Sequence, residues 1–345
     1  MNKTNPYRLP AEWEQQDAVL LTWPHAQSDW MPWLAQVDPV FVEIARQVTL
    51  RERLIVGCYD AEHKAHIQAL LKQRGIEDAT VSLYIAPSND SWVRDHGPIT
   101  VLKDGMPHLL DFTFNGWGEK FDSTLDDQVT RRLHAQGAFG KTPLETIDLV
   151  LEGGSIEVDG AGTLLTTTQC LLSPKRNPYL KRAQIETRLC ALLGIERVLW
   201  LEHGHLAGDD TDSHIDTLAR FCNPHTITYV ACDDPHDEHY ADLKAMEIEL
   251  RAFRTRAGEP YQLIPLPWPQ PKYDEIGQRL PASYANFLII NQAVLVPTYN
   301  DPADAAALER LQTGFPQHAI VGIPCAPLIL QYGSLHCVTM QLPSP

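Results

Sequence analysis

The chain has 345 residues, 44% hydrophobic and 21% charged, proportions that allow a full buried core and exclude a disordered tail. Its 28 basic and 44 acidic residues give a formal charge of −16, which disfavours nucleic acid or an anionic membrane as a partner and favours cationic small molecules. The stretch through Gln16 has no apolar core of signal-peptide length, and no run approaches the roughly 18 apolar residues that cross a bilayer, so a cytoplasmic protein is expected. The seven cysteines are odd in number and form no CxxC pair, which argues against a disulfide framework or a structural zinc site.

Residues 18–23 form an apolar run ending at Pro24 and predict a buried first strand. Val40, Phe41, Ile44, Ala45 and Val48 recur at helical spacing, residues 53–59 read as the next strand, and Asp60 caps a helix that turns Ile67, Leu70 and Leu71 inward and stops at Gly75. Residues 81–85 form a strand that runs into SNDSWVRDHGP. Beyond Pro98 the pattern turns β-rich: ITVL and HLLDFTF flank a Lys103-Asp104-Gly105 turn as a hairpin. A helix over 125–135 and a strand over 147–151 lead to a second hairpin around Asp159-Gly160. Asn177-Pro178 predicts the start of a helix using Ile185, Leu189, Leu192 and Leu193.

Residues 197–201 read as a strand, 215–221 and 226–231 as a strand pair, and the segment after Pro235 as a helix using Leu243, Met246, Leu250 and Phe253. Four prolines in 264–271 predict irregular chain. Two short strands surround Asn291-Gln292, Asp301-Pro302 opens a helix, and residues 319–323 precede a last strand over 335–341. Strand, strand, helix, strand is thus the recurring unit, without a literal sequence repeat.

Four polar clusters fall at the ends of predicted strands: DSWVRD at 90–95, Glu152-Gly153-Gly154, the acidic AGDDTDSHID at 207–216, and His336-Cys337. On a strand, His214 and Asp216 at i, i+2 would share one face. A thiol, a histidine and several carboxylates are what nucleophilic attack on a cationic electrophile requires. His336 is expected to face away from Cys337 in a structural role, and His25, His203 and His205 to be surface or supporting residues. A reading of another class is a metal-dependent hydrolase with His203, His205, Asp209 and His214 as ligands.

LPAEWEQQDAVLLTWPH, NDSWVRDHGP, FNGWG, LEGGSIEVDGAGTLLTTTQCLLSPKRNP, GDDTDSHID and LHCVTMQLP occur in this order, and through them the chain resembles the guanidine-modifying enzymes of the pentein fold. Among these it is most similar to the agmatine deiminases, relatives of the bacterial-type peptidyl-arginine deiminases. The resemblance implies an α/β fold built as a five-bladed pseudo-symmetric propeller of ββαβ units, in a single catalytic domain over residues 1–345. It further implies Cys337 as nucleophile, His214 as proton carrier, Glu152 as its partner, Asp95 and Asp216 as the pair gripping a guanidinium, and Trp92 against the aliphatic part of the substrate. No metal and no cofactor are implied. The expected partner is a small cationic guanidine, agmatine first and peptidyl-arginine as the alternative, and a homo-oligomer stays open.

Two stretches depart from the family pattern. Tyr332-Gly333-Ser334 stand where Gly-Gly-Asn is usual, and Asp210-Thr211-Asp212-Ser213 where Glu-Thr, a small residue and Gly are usual. Asp210 and Asp212 are the candidates for the far end of the pocket, where a substrate ammonium would sit. No basic residue lies in the acidic stretch to receive a carboxylate, although Arg94 and the Lys175-Arg176 segment could approach from elsewhere.

Overall fold

A computed structural model describes residues 5–76 and 78–345; the first four residues of the expected 1–345 domain, and residue 77, lie outside the described ones. The architecture is α/β, and one pairing scheme recurs in five sheets. Two strands pair antiparallel, and a third joins parallel to the second. A short turn suffices for the first connection, whereas the parallel step requires a crossover, supplied each time by a helix.

Ile99–Lys103, Met106–Thr113 and Leu144–Val150 form one such unit, with Val129–Ala135 in the crossover. Glu157–Val158, Thr163–Thr167 and Arg197–Leu201 form the next around Arg182–Leu193. Ala219–Asn223, Thr226–Val230 and Gln262–Leu266 follow around Tyr240–Ala252, then Leu288–Ile290, Ala293–Thr298 and Ala319–Pro324 around Asp304–Gly314. In the remaining sheet Met340–Pro343, from the far end of the chain, pairs antiparallel with Gln16–Thr22, which lies parallel to Arg53–Cys58 and, through it, Val81–Ile85. The chain thereby ends in the sheet in which its first long strand lies.

Local chemistry accounts for these boundaries. Asp60 accepts the His63 N–H at 2.8 Å as the cap of Ala61–Gln73, whose Ile67 and Leu71 are buried, and Gly75 past its end has φ 68. Asp104 and Gly105 both take positive φ, the geometry of a tight hairpin turn. The middle strands Thr163–Thr167 and Thr226–Val230 are buried throughout, which is why they read as unbroken weakly polar runs rather than alternating ones. Among the described residues no helix is long and apolar enough to cross a membrane.

Several expectations need correction. His214 and Asp216 do not share a strand: a 3-10 turn, Ile215–Thr217, precedes the strand Ala219–Asn223. The last strand is Met340–Pro343, so His336 and Cys337 lie in the turn before it rather than on a strand. Asn177 caps no helix; its side chain bonds the Val150 backbone at 3.1 and 2.8 Å, and Arg182–Leu193 begins later. The proline-rich segment opens as a strand, Gln262–Leu266, because it lies at a sheet edge, where Pro265 is tolerated.

Candidate active site

Turns that leave or enter strands carry the polar clusters into one cavity of about 280 Å³. Trp92 and Asp95 come from the short helix Val93–His96 and the residue before it, His214 and Asp216 from the 3-10 turn, and Cys337 from the turn ahead of the last strand. Gly153 and Gly154 explain how they meet. A Cβ at Gly154 would lie 2.6 Å from His214 Nδ1, 2.8 Å from Asp95 Oδ1 and 3.2 Å from Asp216 Oδ2, and one at Gly153 would strike the Arg94 carbonyl at 2.2 Å. Only a bare backbone lets the three side chains converge there.

Asp95 is buried and accepts the Gly154 N–H at 3.0 Å and the Trp117 indole N–H at 2.9 Å, with His214 Nδ1 at 3.6 Å. Burial pushes its carboxyl up to about 6, against the pull of His214. Asp216 is fully buried too; its Oδ2 accepts from His336 at 2.7 Å while its Oδ1 has no partner. Against its burial, the His336 hydrogen bond holds Asp216 below the usual carboxylate range. The Cys337 Sγ lies 3.8 Å from Asp216 Oδ2 and 3.3 Å from Asn286 Nδ2. Burial, then the charges of Asp216 and Asp95, push this thiol well above its ordinary range, which favours its protonated form. Burial also opposes charge on His214, but Asp95 foremost, with Cys170 and Glu152, raises it well above the ordinary histidine value.

Glu152 lies close to His214 but bonds elsewhere. One oxygen of its carboxylate, the Cys170 sulfur and a His214 ring nitrogen fall within 4.8 Å of one another. Both Glu152 oxygens accept from Arg176 Nε at 2.8 and 2.9 Å, because a guanidinium with no exposed side-chain surface requires a charge partner. Arg176 continues to Asp212 at 2.6 Å and the Thr211 carbonyl at 2.8 Å. Among the described residues this trio is the one group of three close enough to hold a metal, and the cation already on Glu152 opposes that use. His203, His205, Asp209 and His214 do not converge as a ligand set: His203 turns outward to Glu249 at 2.6 Å. His25, expected as a surface or supporting residue, is not at the surface: it is 2% exposed and bonds Ser88 at 3.2 Å.

Eight of the residues lining the cavity are aspartates, and none is lysine or arginine. Trp92 forms one wall, packed on Trp30 at 5.5 Å between ring centroids and lying over Gly333, where a Cβ would come within 2.3 Å of its ring. Asp210 also lines the cavity, and burial beside Asp209 raises its carboxyl to about 7, whereas Asp212, the other candidate for the far end, is held by Arg176 at 2.6 Å and Lys120 at 2.7 Å instead. The arginines of the two segments that could have served a substrate carboxylate are engaged inside the protein, whereas Lys175 is exposed. Arg94 pairs with Glu12 rather than Asp95, and Arg176 with Glu152 and Asp212.

The unusual stretches carry strained backbone. Asp212, Ser213 and Tyr332 all have positive φ, 66, 64 and 65. At Ser213 this non-glycine conformation is held by the N–H donated to Asp209 at 2.7 Å and the carbonyl accepting from Thr167 Oγ1 at 2.7 Å. The sequence reading passed over Asn286, Trp117 and Glu12 as site residues. Trp117 lay in the FNGWG motif, whereas a lone Asn286 between apolar residues carries no signal.

The model of the Porphyromonas-type peptidyl-arginine deiminase family matches residues 8–343. The chain belongs to this family. An agmatine deiminase of Stutzerimonas stutzeri is 34% identical over 98% of this chain and 96% of its own length. Among solved members of the fold, a Porphyromonas gingivalis protein with the working name of an arginine deiminase is 50% identical, superposes with TM-score 0.91 and covers 98% of each chain. A cysteine-to-serine form of the agmatine deiminase of C. jejuni, solved with substrate bound, is 37% identical with TM-score 0.90 over 97% of this chain and 96% of that one. The family match therefore spans every residue that lines the cavity, from Gln27 to Cys337.

Proposed function

We propose that this deiminase hydrolyses the guanidinium of agmatine, giving N-carbamoylputrescine and ammonia through a covalent intermediate on Cys337. The convergence of two buried carboxylates, a histidine and a thiol on one acid-lined cavity with no lysine or arginine among its lining residues carries the reading. A guanidinium is planar and resonance-stabilised, so its carbon yields only when carboxylates fix the plane and a strong nucleophile stands over it. Asp95 and the free Oδ1 of Asp216 are suited to the first task. The incoming cation offsets the two charges that hold the Cys337 proton in place, so binding itself promotes release of that proton to solvent and formation of the thiolate.

The thiolate then bonds to the guanidinium carbon, and the C–N bond to a terminal nitrogen breaks. That nitrogen leaves as ammonia with a proton from His214, which is cationic beforehand because of its elevated basicity. Water enters at the same carbon and gives a proton to the now neutral His214; the C–S bond breaks, and the ureido product leaves the thiol restored. Glu152, anchored by Arg176, supports the charged histidine from within the protein. Trp92 covers the methylene chain, and the aspartates of the outer cavity, Asp210 among them, favour a tail ending in ammonium over one with an added carboxylate.

We also infer that the five like units form a closed five-bladed propeller in one catalytic domain. The support is the shared pairing scheme and the terminal strand returning to the first sheet. Ammonia release from agmatine, free arginine, a blocked arginine peptide and a neutral-tailed alkylguanidine tests the substrate. Agmatine should have the highest kcat/KM, and Asp210→Asn should weaken agmatine use more than use of the neutral-tailed compound. Arginine or the peptide equalling agmatine would defeat the assignment.

A further inference from the structure

Asp216 is fully buried at the wall of the cavity, with its Oδ2 bonded to His336 and its Oδ1 without a partner. We propose that His336 is the positioning residue responsible, as a neutral imidazole locked in the Nδ1–H tautomer by Arg220. The inference rests on the deiminase reading and assigns a role to the residue next to Cys337 in the chain.

An ionised carboxylate only accepts, so the 2.7 Å contact with Asp216 requires the proton on His336 Nδ1. On the other side of the ring, Nε2 faces Arg220 Nη2 at 3.1 Å and Glu12 Oε1 at 2.9 Å. The guanidinium can only donate and so requires a lone pair on Nε2, whereas the carboxylate would favour a proton there. Burial and the charges of Arg220 and Arg94 keep the imidazole below its ordinary basicity, which leaves Nε2 an acceptor. Glu12 is stabilised instead by Arg220, by Arg94 and by the Gln341 amide at 2.9 Å. Arg220 is itself fixed by Glu157 at 2.7 Å and by the Phe287 carbonyl at 2.8 Å. The ring is thus held from behind, and its one donor sets which Asp216 oxygen meets the substrate. The same region also fixes the nucleophile's backbone: Arg94 N–H donates to the Cys337 carbonyl at 3.1 Å, and Asn286 accepts the His336 N–H at 2.9 Å.

The two amide variants of His336 separate positioning from packing. The Asn amide nitrogen falls near the place of imidazole Nδ1, whereas that of Gln falls near Nε2. His336→Asn should keep the donor to Asp216 and remain within about tenfold of wild-type kcat/KM for agmatine. His336→Gln fills the site better but loses that donor, and should fall at least a hundredfold, with the acid limb of its kcat/KM profile shifted to higher pH as Asp216 becomes more basic. Equal activity of the two variants, or a larger loss in Asn than in Gln, would overturn the proposal. A second measurement does not depend on either variant folding: in crystals of Cys337→Ala with agmatine, Asp216 Oδ1 should accept from the guanidinium while Oδ2 stays on His336. A guanidinium seated on Oδ2 with His336 released would overturn it equally. Failure of the deiminase reading itself would appear differently, as a wild-type chain releasing no ammonia from any guanidine.

Discussion

Replacing Asp95 by Asn should abolish most turnover without weakening the fold. The carboxyl is wholly buried and lies at about 6, so at pH 8 it is almost entirely ionised and ready to pair with a cation. Removing one partner of a buried charge pair costs about 3–5 kcal/mol, and with about 1.4 kcal/mol per decade kcat/KM should fall by about two to three and a half orders of magnitude. Stability should behave in the opposite way. The folded value exceeds the ordinary 3.8, so the ionised group destabilises the fold. That penalty is absent below the unfolded value, grows as pH rises through the interval, and is complete above about 6, where it is on the order of 3 kcal/mol. Asn removes it. In exchange, one Asn oxygen cannot serve both Gly154 N–H and Trp117 Nε1–H as the carboxylate does, and an orphaned donor costs about 1–3 kcal/mol. Thermal melting at pH 8 should therefore give a midpoint equal to wild type or somewhat higher, alongside the collapse in agmatine turnover. Turnover within tenfold of wild type, or a melting point many degrees lower, would refute the reasoning.

Acidification should weaken agmatine use. As pH falls through about 7 and then about 6, Asp210 and Asp95 take up protons and the cavity loses its attraction for a dication, so kcat/KM measured at constant ionic strength should decline by about tenfold per unit below the lower value. A flat profile from pH 8 to 5 would contradict this. Arg176→Met should strand Glu152 as a buried, unpaired carboxylate and lower unfolding free energy by about 3–5 kcal/mol, read from denaturant midpoints. A change below about 1 kcal/mol would show that Glu152 finds other support.

The recurring strand-strand-helix-strand pattern was legible in the sequence where buried middle strands and crossover helices carry distinct apolar patterns, as do Thr226–Val230 and Tyr240–Ala252, but the number of units came only from the family resemblance, and Gln262–Leu266, the third strand of one unit, was hidden by its prolines. The ends of those units were less legible. The turn at Ile215–Thr217 reads as strand because Ile215 and Thr217 are β-branched and apolar residues follow, while the bend there comes with positive φ at Asp212 and Ser213, which no local propensity announces. Glu152, His214 and Cys337 stood out as chemistry-bearing residues in short motifs. Arg176, Glu12 and Asn286 did not, because their meaning depends on contacts with distant residues: Glu12 meets His336 across 324 positions of chain. His336 looked structural for the same reason, since only the folded chain brings Asp216 to its Nδ1.

The account stands or falls on which sulfur carries the intermediate. Rapid acid quenching of the protein during agmatine turnover, followed by intact-mass and peptide mass spectrometry, should reveal an alkylthiouronium adduct of agmatine less ammonia, confined to the peptide holding Cys337. An adduct on any of the other six free cysteines, or agmatine turnover undiminished in Cys337→Ser, would contradict it.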